Sequence, residues 1–255
     1  MCGICGCKQP KDEISGHRHL DVELDLFSLN DRHAQTNRER FARQSLLVLN
    51  LVSSPGAGKT LLLEQTLKAQ LGRIAVGVIE GDQQTSHDAD RIRATGAPAV
   101  QINTGAACHL DAHMVGHALE ELDMLRNGIL YIENVGNLVC PANFDLGEAA
   151  KVVILSVTEG DDKPLKYPDM FVAAQMMVIN KLDLLPHVDF DLERCIDYAR
   201  RVNPEIQVIQ LSAQTGEGMQ AWLDWLEESY QTLVAHRIDQ LEQELAGLKA
   251  LLERG

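Results

Sequence analysis

Three cysteines, Cys2, Cys5 and Cys7, stand within the first seven residues of the chain. With the free α-amino group they supply enough sulfur and nitrogen donors for a compact four-coordinate metal site, and a square-planar set of such donors favours Ni²⁺. Tetrahedral Zn²⁺ is the competing occupant. A redox role fits less well, because such cysteines would lie beside a thioredoxin-like unit, which this sequence lacks. We therefore expect an N-terminal metal site that needs no help from the folded domain.

A phosphate-binding loop is predicted in the segment SSPGAGKT, which starts at Ser53 between a buried strand and a helical pattern. Gly56 and Gly58 let the backbone amides approach phosphate, Lys59 offers its charge to the β- and γ-phosphates, and Thr60 offers a hydroxyl to Mg²⁺. Serine replaces the first glycine of the usual pattern. The predicted nucleotide-binding residues of this loop are Ser54, Pro55, Gly56, Ala57, Gly58, Lys59 and Thr60.

The segment NKLD, from Asn180 to Asp183, follows a buried strand and points to guanine. The Asp183 carboxylate can accept from guanine N1–H and the exocyclic amine, while Asn180 reads O6 and N7; adenine would leave the carboxylate unpaired. A second segment, SAQTG from Ser212, ends a later strand and strengthens the prediction of GTP. The predicted base-binding residues are Asn180, Lys181, Asp183, Ser212 and Ala213.

Two acidic segments follow strands and are expected to hold magnesium and align water. Asp82 closes the segment EGD, and Glu133 opens ENVGN, an acidic-x-x-Gly pattern of the kind that senses the γ-phosphate in GTP switches. We expect Thr60, Asp82 and Glu133 to surround Mg²⁺, with Lys59, Asp82 and Glu133 as the catalytic residues. The alternative is that the two acidic residues only cap strand ends.

A second cysteine-containing site is predicted from Cys108, His109 and Cys140. Thiolate and imidazole suit Zn²⁺, Ni²⁺ or copper better than Mg²⁺. Cys140 follows Glu133 by seven residues, so a switch that moves with the γ-phosphate would also move this thiolate. Three ligands leave an open position, or a position filled from a two-fold related copy. Cys195, by contrast, fits a buried core cysteine.

Helical spacing is predicted from Thr104 onward, with Thr104 as the capping residue. His109, His113 and His117 are spaced four apart, so the pattern predicts that they share one helix face, with Cys108 at its N-terminal end. The alternative for His113 and His117 is that they belong to an ordinary solvated face.

The net charge of the chain argues against polyanionic partners. The 255 residues include 23 Lys+Arg and 37 Asp+Glu, for a formal net charge of −14, so nucleic acid and anionic membrane surfaces are not expected partners. No apolar run approaches the roughly 18 residues that span a bilayer. We expect a cytoplasmic protein, in which thiols stay reduced and a disulfide framework is a poor explanation for the cysteines.

Short apolar segments alternate with helical patterns along most of the chain, which predicts a doubly wound α/β fold with a mostly parallel sheet of about seven strands. Residues 1–20 are expected to be the metal-binding tail and tether, 21–229 the GTPase domain with the second metal site, and 230–255 a heptad-like helix. That helix either contacts another helix or packs on its own domain. The predicted strands start near Leu46, Ile74, Pro98, Gly128, Lys151, Ala174 and Ile206.

These motifs, in this order, resemble the hydrogenase nickel-incorporation GTPases of the HypB family, over most of the chain up to about Tyr230. The resemblance implies a dimerising GTPase that works with a partner metallochaperone to load nickel into the large subunit of [NiFe]-hydrogenase. It also implies that Cys2, Cys5 and Cys7 form a tight nickel site, and that the second cysteine site binds nickel or zinc in a nucleotide-coupled way. The long histidine-rich tract of some relatives is missing, so bulk nickel storage is not expected.

Other interpretations predict different sequence features. A urease nickel GTPase would show Cys-Pro-His, whereas the chain has Cys140, Pro141 and Ala142. A metal-sequestering protein with a vestigial or regulatory nucleotide domain would not need the intact Lys59 and Asp183. A chaperone GTPase for a cobalamin enzyme would not need the N-terminal thiols.

Overall fold

The computed structural model describes residues 15–83 and 87–252, with side chains from residue 26 onward. The N-terminal cysteines Cys2, Cys5 and Cys7 lie outside the described residues, so the metal site expected there stays a prediction. Among the described residues, none of the helices is both long enough and apolar enough to cross a membrane.

Seven parallel strands form one sheet, in the order β3-β2-β4-β1-β5-β6-β7. The prediction of a doubly wound fold with about seven parallel strands is confirmed. The strands are β1 (Leu46–Ser53), β2 (Ala75–Asp82), β3 (Ala99–Asn103), β4 (Gly128–Glu133), β5 (Ala150–Ser156), β6 (Met176–Asn180) and β7 (Gln207–Gln210).

Strand β1 lies at the centre of the sheet and every one of its residues is buried. Its register pairs Leu51 with Glu133 of β4 and Ser53 with Ile154 of β5. The phosphate loop therefore leaves the sheet beside the acidic end of β4. In open parallel sheets, ligands bind outside the carboxyl ends of the strands, and these residues lie at that edge.

Helices cover both faces of the sheet, as buried parallel strands require. Leu63 and Trp222 belong to the core cluster on one face, while Phe41 and Leu119 pack on the other. Cys195 is fully buried within a third cluster, as expected for a core cysteine. The helices are α1 (Ser15–Gln44), α2 (Lys59–Gln70), α3 (His87–Ala94), α4 (Ala112–Glu121), α5 (Lys163–Lys166), α6 (Pro168–Ala173), α7 (Leu192–Val202) and α8 (Met219–Leu252).

Helix α1 starts earlier than the sequence pattern indicated. The expected tether reached residue 20, but the helix begins at Ser15 and continues without a break into the packed part of the domain. A helix anchored downstream can extend through polar residues, because each added residue gains a hydrogen bond without a new nucleation step. Apolar spacing therefore marks where α1 packs and not where it begins.

Helix α4 starts later than expected, at Ala112. Asp111 is its N-cap and accepts a hydrogen bond from the Met114 amide at 2.8 Å. Thr104 instead donates its hydroxyl to the Ala107 carbonyl, and Gly105 has a positive φ of 58° that interrupts helical geometry. The prediction that Cys108 and His109 open the helix is wrong, since both lie in the loop before it.

Helix α8 divides into a packed half and an exposed half. Trp222 and Leu226 are buried against the sheet, and the Trp222 indole N–H donates to Thr66 Oγ1 at 2.9 Å. From Ile238 onward the apolar side chains are exposed, so the interpretation that the whole helix packs on its own domain is wrong for this half. The helix also runs without interruption through the boundary expected at residue 229.

Candidate nucleotide and metal site

The phosphate loop joins β1 to α2 and has the geometry that its glycines predicted. Gly56 and Gly58 have positive φ angles of 77° and 91°, and Gly58 is the residue that precedes the first turn of α2. A Cβ at Gly58 would lie 2.6 Å from the Asn180 side chain, so only glycine fits there. The helix N-terminus behind the loop directs backbone amides at an anion.

Glu133 contacts both functional side chains at the start of α2. Its Oε1 accepts from Lys59 Nζ at 3.1 Å and from Thr60 Oγ1 at 2.6 Å. The side chain is almost completely buried, and its second oxygen has no hydrogen-bond partner among the described residues. The acidic end of β4 thus lies against the two residues that were predicted to meet the γ-phosphate and magnesium.

A group of three carboxylates lies beside this pair. Ligand oxygens of Glu80, Asp82 and Asp88 fall within 4.8 Å of one another. Burial, together with the nearby charges of Glu133 and Asp82, raises the pKa of Glu80 to about 8. Sequence reasoning found Asp82 but missed Glu80 as part of the group and Asp88 on α3, which lies next to the undescribed residues 84–86.

The donor chemistry of this region fits Mg²⁺. Carboxylate oxygens and hydroxyls are its preferred protein ligands. Buried carboxylate oxygens of Glu80 and Glu133 have no hydrogen-bond partner in the part of the chain that the structure describes. A cation would offset the repulsion among these side chains. Asp82, Thr60 and Glu133, the predicted set, remain suited to this role together with Glu80.

A cavity of about 500 Å³ opens over the phosphate loop. Asp82, Asp88 and Gly136 contribute to its wall, and so does Lys181 from the predicted base-binding segment. Asp183 and Ser212 do not line it, but Ser212 Oγ donates to Asp183 Oδ1 at 2.5 Å. The residues predicted to bind phosphate are therefore brought together, and those predicted to bind the base form a neighbouring group.

Asn180 connects the phosphate loop to both base-binding segments. Its Nδ2 donates to the Ala57 carbonyl at 3.0 Å, and its Oδ1 accepts from the amides of Lys181 at 2.7 Å and Ala213 at 3.1 Å. The Lys181 ammonium also donates to the Gly56 carbonyl at 2.7 Å. These bonds make Asn180 a positioning residue in this structure, and its predicted contact with guanine stays a prediction.

Lys163 was not predicted from sequence. Its ammonium donates to Ser54 Oγ at 3.0 Å and pairs with Glu159 at 3.1 Å. The segment that carries it follows β5, which lies beside β1 in the sheet. Its position after a strand at the carboxyl edge was the available signal, since other strands at this edge end in functional residues.

The three residues predicted to form the second metal site lie close together. Cys108 Sγ lies 3.0 Å from Cys140 Sγ and 3.8 Å from His109 Nδ1, and all three ligand atoms fall within 4.8 Å of one another. The side chains are half-buried, and the His109 ring packs against Phe144 with a centroid distance of 4.0 Å. Two sulfurs and one imidazole form an incomplete tetrahedral or planar set, as expected from the sequence.

The protonation states of Cys108 and His109 determine what a metal ion must displace when it binds at this site. Burial and the adjacent Cys140 raise the pKa of the Cys108 thiol. Burial lowers the pKa of His109, which favours the neutral imidazole that ligates metals. A metal ion that binds here must displace the thiol proton, so binding releases protons.

The histidine pattern on α4 has a different outcome. His113 and His117 lie on one face with their Nε2 atoms 3.2 Å apart, as the four-residue spacing predicted. His109 is not part of that row, because it lies in the preceding loop. The His113 ring instead meets His33 of α1 at a centroid distance of 4.9 Å.

Two asparagines connect the end of β4 to the cysteine site, and sequence reasoning identified neither. Asn134 is buried and its Oδ1 accepts from the Leu110 amide at 3.1 Å, while its Nδ2 donates to Asn50 Oδ1 at 3.2 Å. Asn137 Nδ2 donates to the Cys108 carbonyl at 3.2 Å. Both lie in the ENVGN segment, so the residues that follow Glu133 hold the loop that carries two predicted metal ligands.

Close packing also joins this segment to the phosphate loop. A Cβ at Gly136 would lie 3.1 Å from Pro55 Cα, a distance that leaves no room for a larger residue without a shift. On the other side, Gln83 at the end of β2 donates to the Ala107 carbonyl at 3.2 Å. A ligand that displaces the phosphate loop or the end of β2 therefore acts on residues bonded to the cysteine loop.

Lys151 holds the segment that follows Cys140. Its buried ammonium donates to the carbonyls of Pro141 at 2.7 Å, Ala142 at 3.2 Å and Phe144 at 3.3 Å. It also lies 3.8 Å from Glu148, which is equally buried. Burial lowers the pKa of Lys151, while the Glu148 charge opposes that shift. A charged residue at the start of an apolar strand was the available signal for this role.

Comparisons with known proteins found relatives that cover most of this chain. Residues 47–210 match the family described as CobW/HypB/UreG, nucleotide-binding domain. Hydrogenase maturation factor HypB from Azotobacter vinelandii is 64% identical over 239 residues, which are 94% of this chain and 79% of that protein. The Escherichia coli K12 protein of the same name is 61% identical over 84% of this chain and 74% of its own length.

A solved structure is similar over most of the domain. HypB from Helicobacter pylori in complex with nickel is 40% identical, with a TM-score of 0.75, and the match covers 80% of this chain and 95% of that chain.

Proposed function

Since the chain belongs to the CobW/HypB/UreG family, and within it to HypB, we propose that it is a GTP-hydrolysing nickel metallochaperone. It delivers Ni²⁺ to [NiFe]-hydrogenase during maturation, in the cytoplasm, with a partner metallochaperone and the hydrogenase large subunit as its partners. The relatives named hydrogenase maturation factor and the nickel complex of a structural relative support this proposal. The observation that carries it is the bonded path from Lys59 through Glu133 and Asn134 to the cysteine loop.

In this proposal the nucleotide competes with Glu133 for the residues at the start of α2. Lys59 now shares its ammonium with Glu133, and the β- and γ-phosphates of GTP would take that charge. Thr60 and Asp82 would hold Mg²⁺, which would neutralise charge on the phosphates. Arg91 lines the cavity but pairs with Glu64 at 2.6 Å. We therefore expect slow intrinsic hydrolysis to GDP and phosphate.

Guanine selection rests on Asp183 in the proposal. The Ser212 hydroxyl fixes its carboxylate, and Asn180 holds the phosphate loop at a set distance from that carboxylate. A carboxylate held in this position accepts hydrogen bonds from the N1–H and the exocyclic amine of guanine. Adenine would leave the same carboxylate unpaired.

Metal binding at Cys108, His109 and Cys140 is proposed to depend on the nucleotide state. Movement of Glu133 would pass through Asn134 and Asn137, which bond the backbone on both sides of His109. A small change in sulfur position alters metal affinity because coordination requires defined ligand geometry. The open position of this site is available to a fourth ligand, and nucleotide-linked pairing of two GTPase domains within a homodimer would bring a second set beside it.

The N-terminal cysteines Cys2, Cys5 and Cys7 are proposed as a separate Ni²⁺ site, with Zn²⁺ as the competitor. A peptide of residues 1–7 with a free amine should then bind Ni²⁺, and acetylation of the amine should weaken binding if the amine is a ligand. Equal affinity after acetylation would assign the fourth donor elsewhere.

Turnover and nickel transfer test the proposal together. The purified protein should hydrolyse GTP in preference to ATP and release bound Ni²⁺ to an immature hydrogenase large subunit in a GTP-dependent way. Lys59→Ala should abolish both, whereas Lys68→Ala, an exposed lysine of the same helix, should change neither. GTP turnover without any nickel transfer would leave a GTPase of another function.

A further inference from the structure

The second half of α8 presents an apolar row to solvent. Ile238, Leu241, Leu245, Leu248 and Leu252 are between 46% and 83% exposed. The first half of the same helix is buried on the domain through Trp222. Large exposed apolar stretches of this kind mark interaction sites. In the part of the chain that the structure describes, nothing covers this half of the helix.

The spacing of the row identifies the kind of partner. From Ile238 the apolar residues are separated by three, four, three and four positions. These are heptad a and d positions, with Ile238, Leu245 and Leu252 at a and Leu241 and Leu248 at d. Val234, four residues earlier, occupies another d position. A row of this period fits another helix that winds around it over about 28 Å at 1.5 Å per residue.

We propose that residues 234–252 form a parallel two-stranded coiled coil with a second copy of this chain, whatever nucleotide is bound. This inference is independent of the proposed function, because it uses only α8. Ile238 at a with Leu241 at d is the combination that favours two strands, and the other two a positions are occupied by leucine.

Charges beside the row select a second copy in parallel orientation. In a parallel pair, each g residue faces the e residue five positions later in the other strand. Arg237 at g then faces Glu242 of the second copy, and Glu244 at g faces Lys249 of the second copy. Within one chain Arg237 approaches Glu244 at 4.0 Å, so the two g residues lie along the same flank of the helix.

The antiparallel alternative places like charges together. When the layers of Val234–Leu252 are matched in opposite directions, each a position faces a d position, each e position faces e and each g position faces g. Glu242 would then face Glu242 of the second copy, and Glu244 would face Glu244. Both contacts repel, whereas both contacts of the parallel pair attract. At full overlap of the two helices, the charges therefore favour the parallel orientation.

Other occupants fit less well. An anionic membrane surface attracts helices rich in Lys and Arg, but here Arg237 and Lys249 are outnumbered by Asp239, Glu242 and Glu244. Gly247 weakens the helix, yet it occupies a c position outside the contact row. A coil of fewer than three heptads is short, and its role is to hold two domains near each other and raise their effective concentration.

Sedimentation of the full-length protein without nucleotide and with a chelator tests the proposal. We expect a dimer at micromolar concentration, and a monomer after Leu241→Ser with Leu248→Ser. These exposed residues lie outside the core, so GTP binding and helix content of the domain should persist. A monomer for the unchanged protein, a trimer, or a dimer that ignores the double substitution would overturn the proposal.

Charge exchange tests orientation and partner. Glu242→Lys should face Arg237 of the second copy and weaken the dimer by about tenfold, since two contacts per dimer turn repulsive. Adding Arg237→Glu should restore the dimer, because the pair is attractive again with signs reversed. Asp239→Lys makes the same charge change at a b position and should leave the dimer unaffected. Failure of the double exchange to rescue would contradict a parallel homodimer. GTP turnover, measured on the same samples, reports separately on the proposed function.

Discussion

The side-chain oxygen of Asn134 accepts a hydrogen bond from the backbone amide of Leu110 at 3.1 Å, which fixes the cysteine loop to the end of β4. Asn134 directly follows Glu133, whose carboxylate contacts Lys59 and Thr60. Asn134 thus connects Glu133, the proposed γ-phosphate sensor, to the backbone that follows the proposed metal ligands Cys108 and His109.

Removal of this contact is expected to uncouple the metal site from the nucleotide. Asn134→Ala leaves the buried Leu110 amide without its acceptor, at a cost of about 1–3 kcal/mol in the free energy of unfolding. The ratio of Ni²⁺ affinities between the GDP and GTP-analogue states should approach one. Isothermal titration of both states measures it.

Asn50→Ala is the matched control for this substitution. It removes the side-chain partner of Asn134 and the hydrogen bond that Asn50 donates to Glu148, but it keeps the bond to Leu110. A similar loss of stability with the affinity ratio retained is expected. If both variants lose the ratio equally, general destabilisation and not the Leu110 contact accounts for the effect.

Base selection should change at Asp183. Asp183→Asn replaces an acceptor by a donor, so GTP binding should weaken and xanthosine nucleotides, which carry an oxygen in place of the exocyclic amine, should bind. Competition against a fluorescent GTP analogue measures both. Asp169→Asn, an exposed position on α6, serves as the control. Unchanged guanine selectivity in Asp183→Asn would remove this residue from the base site.

Lys151 should matter for the metal and not for the nucleotide. Lys151→Met removes three hydrogen bonds to the loop after Cys140 and leaves the buried Glu148 without its cationic neighbour. We expect Ni²⁺ affinity at this site to fall by about 10- to 100-fold, which is typical when a residue that orients metal ligands is replaced. GTP affinity should stay within a few-fold. Lys166→Met, an exposed control, should change neither the Ni²⁺ affinity nor the GTP affinity. If Lys151→Met lowers both affinities equally, unfolding accounts for its effect.

Glu80 predicts a pH dependence of stability. Its pKa is raised from 4.5 to about 8 in the folded chain, so the fold favours the protonated form. Glu80 therefore contributes fully to the free energy of unfolding when the pH is below its unfolded pKa. This contribution is lost as the pH rises through about 8. In a chelator, denaturant midpoints should therefore fall between about pH 5.5 and pH 8.5.

Glu80→Gln should flatten this pH profile, because the amide stays neutral throughout. Glu193→Gln, an exposed residue of α7, should leave the profile unchanged. Added Mg²⁺ should reduce the loss at high pH if the carboxylate group holds the ion. A profile that is identical in Glu80→Gln and the unchanged protein would assign the pH effect to other groups.

Local sequence patterns predicted the sheet and the phosphate loop because each depends on residues that are close together in the sequence. Each buried strand is a run of apolar residues, and the loop needs its glycines, lysine and threonine next to one another. The start of α4 was misplaced because Thr104 and Asp111 are both capping residues, and only the positive φ of Gly105 separates turn from helix.

Residues that act through distant partners could not be predicted in this way. Asn134 meets an amide 24 residues away, and Lys163 meets Ser54 across 109 residues. Lys151 was included in a strand, but its carbonyl partners depend on how the Cys140 loop folds back. Such roles follow from the packing of β1, β4 and β5 side by side, which a single segment of sequence does not reveal.

The central claim is that nucleotide state sets metal affinity at Cys108, His109 and Cys140. The most direct measurement is a Ni²⁺ titration of a variant with Cys2, Cys5 and Cys7 replaced by Ala, once with GDP and once with a non-hydrolysable GTP analogue. We predict affinities that differ by about 5- to 150-fold, a reciprocal effect of Ni²⁺ on nucleotide affinity, and loss of the metal effect in Cys140→Ala with GTP binding intact. Identical titrations in the two nucleotide states would contradict the account.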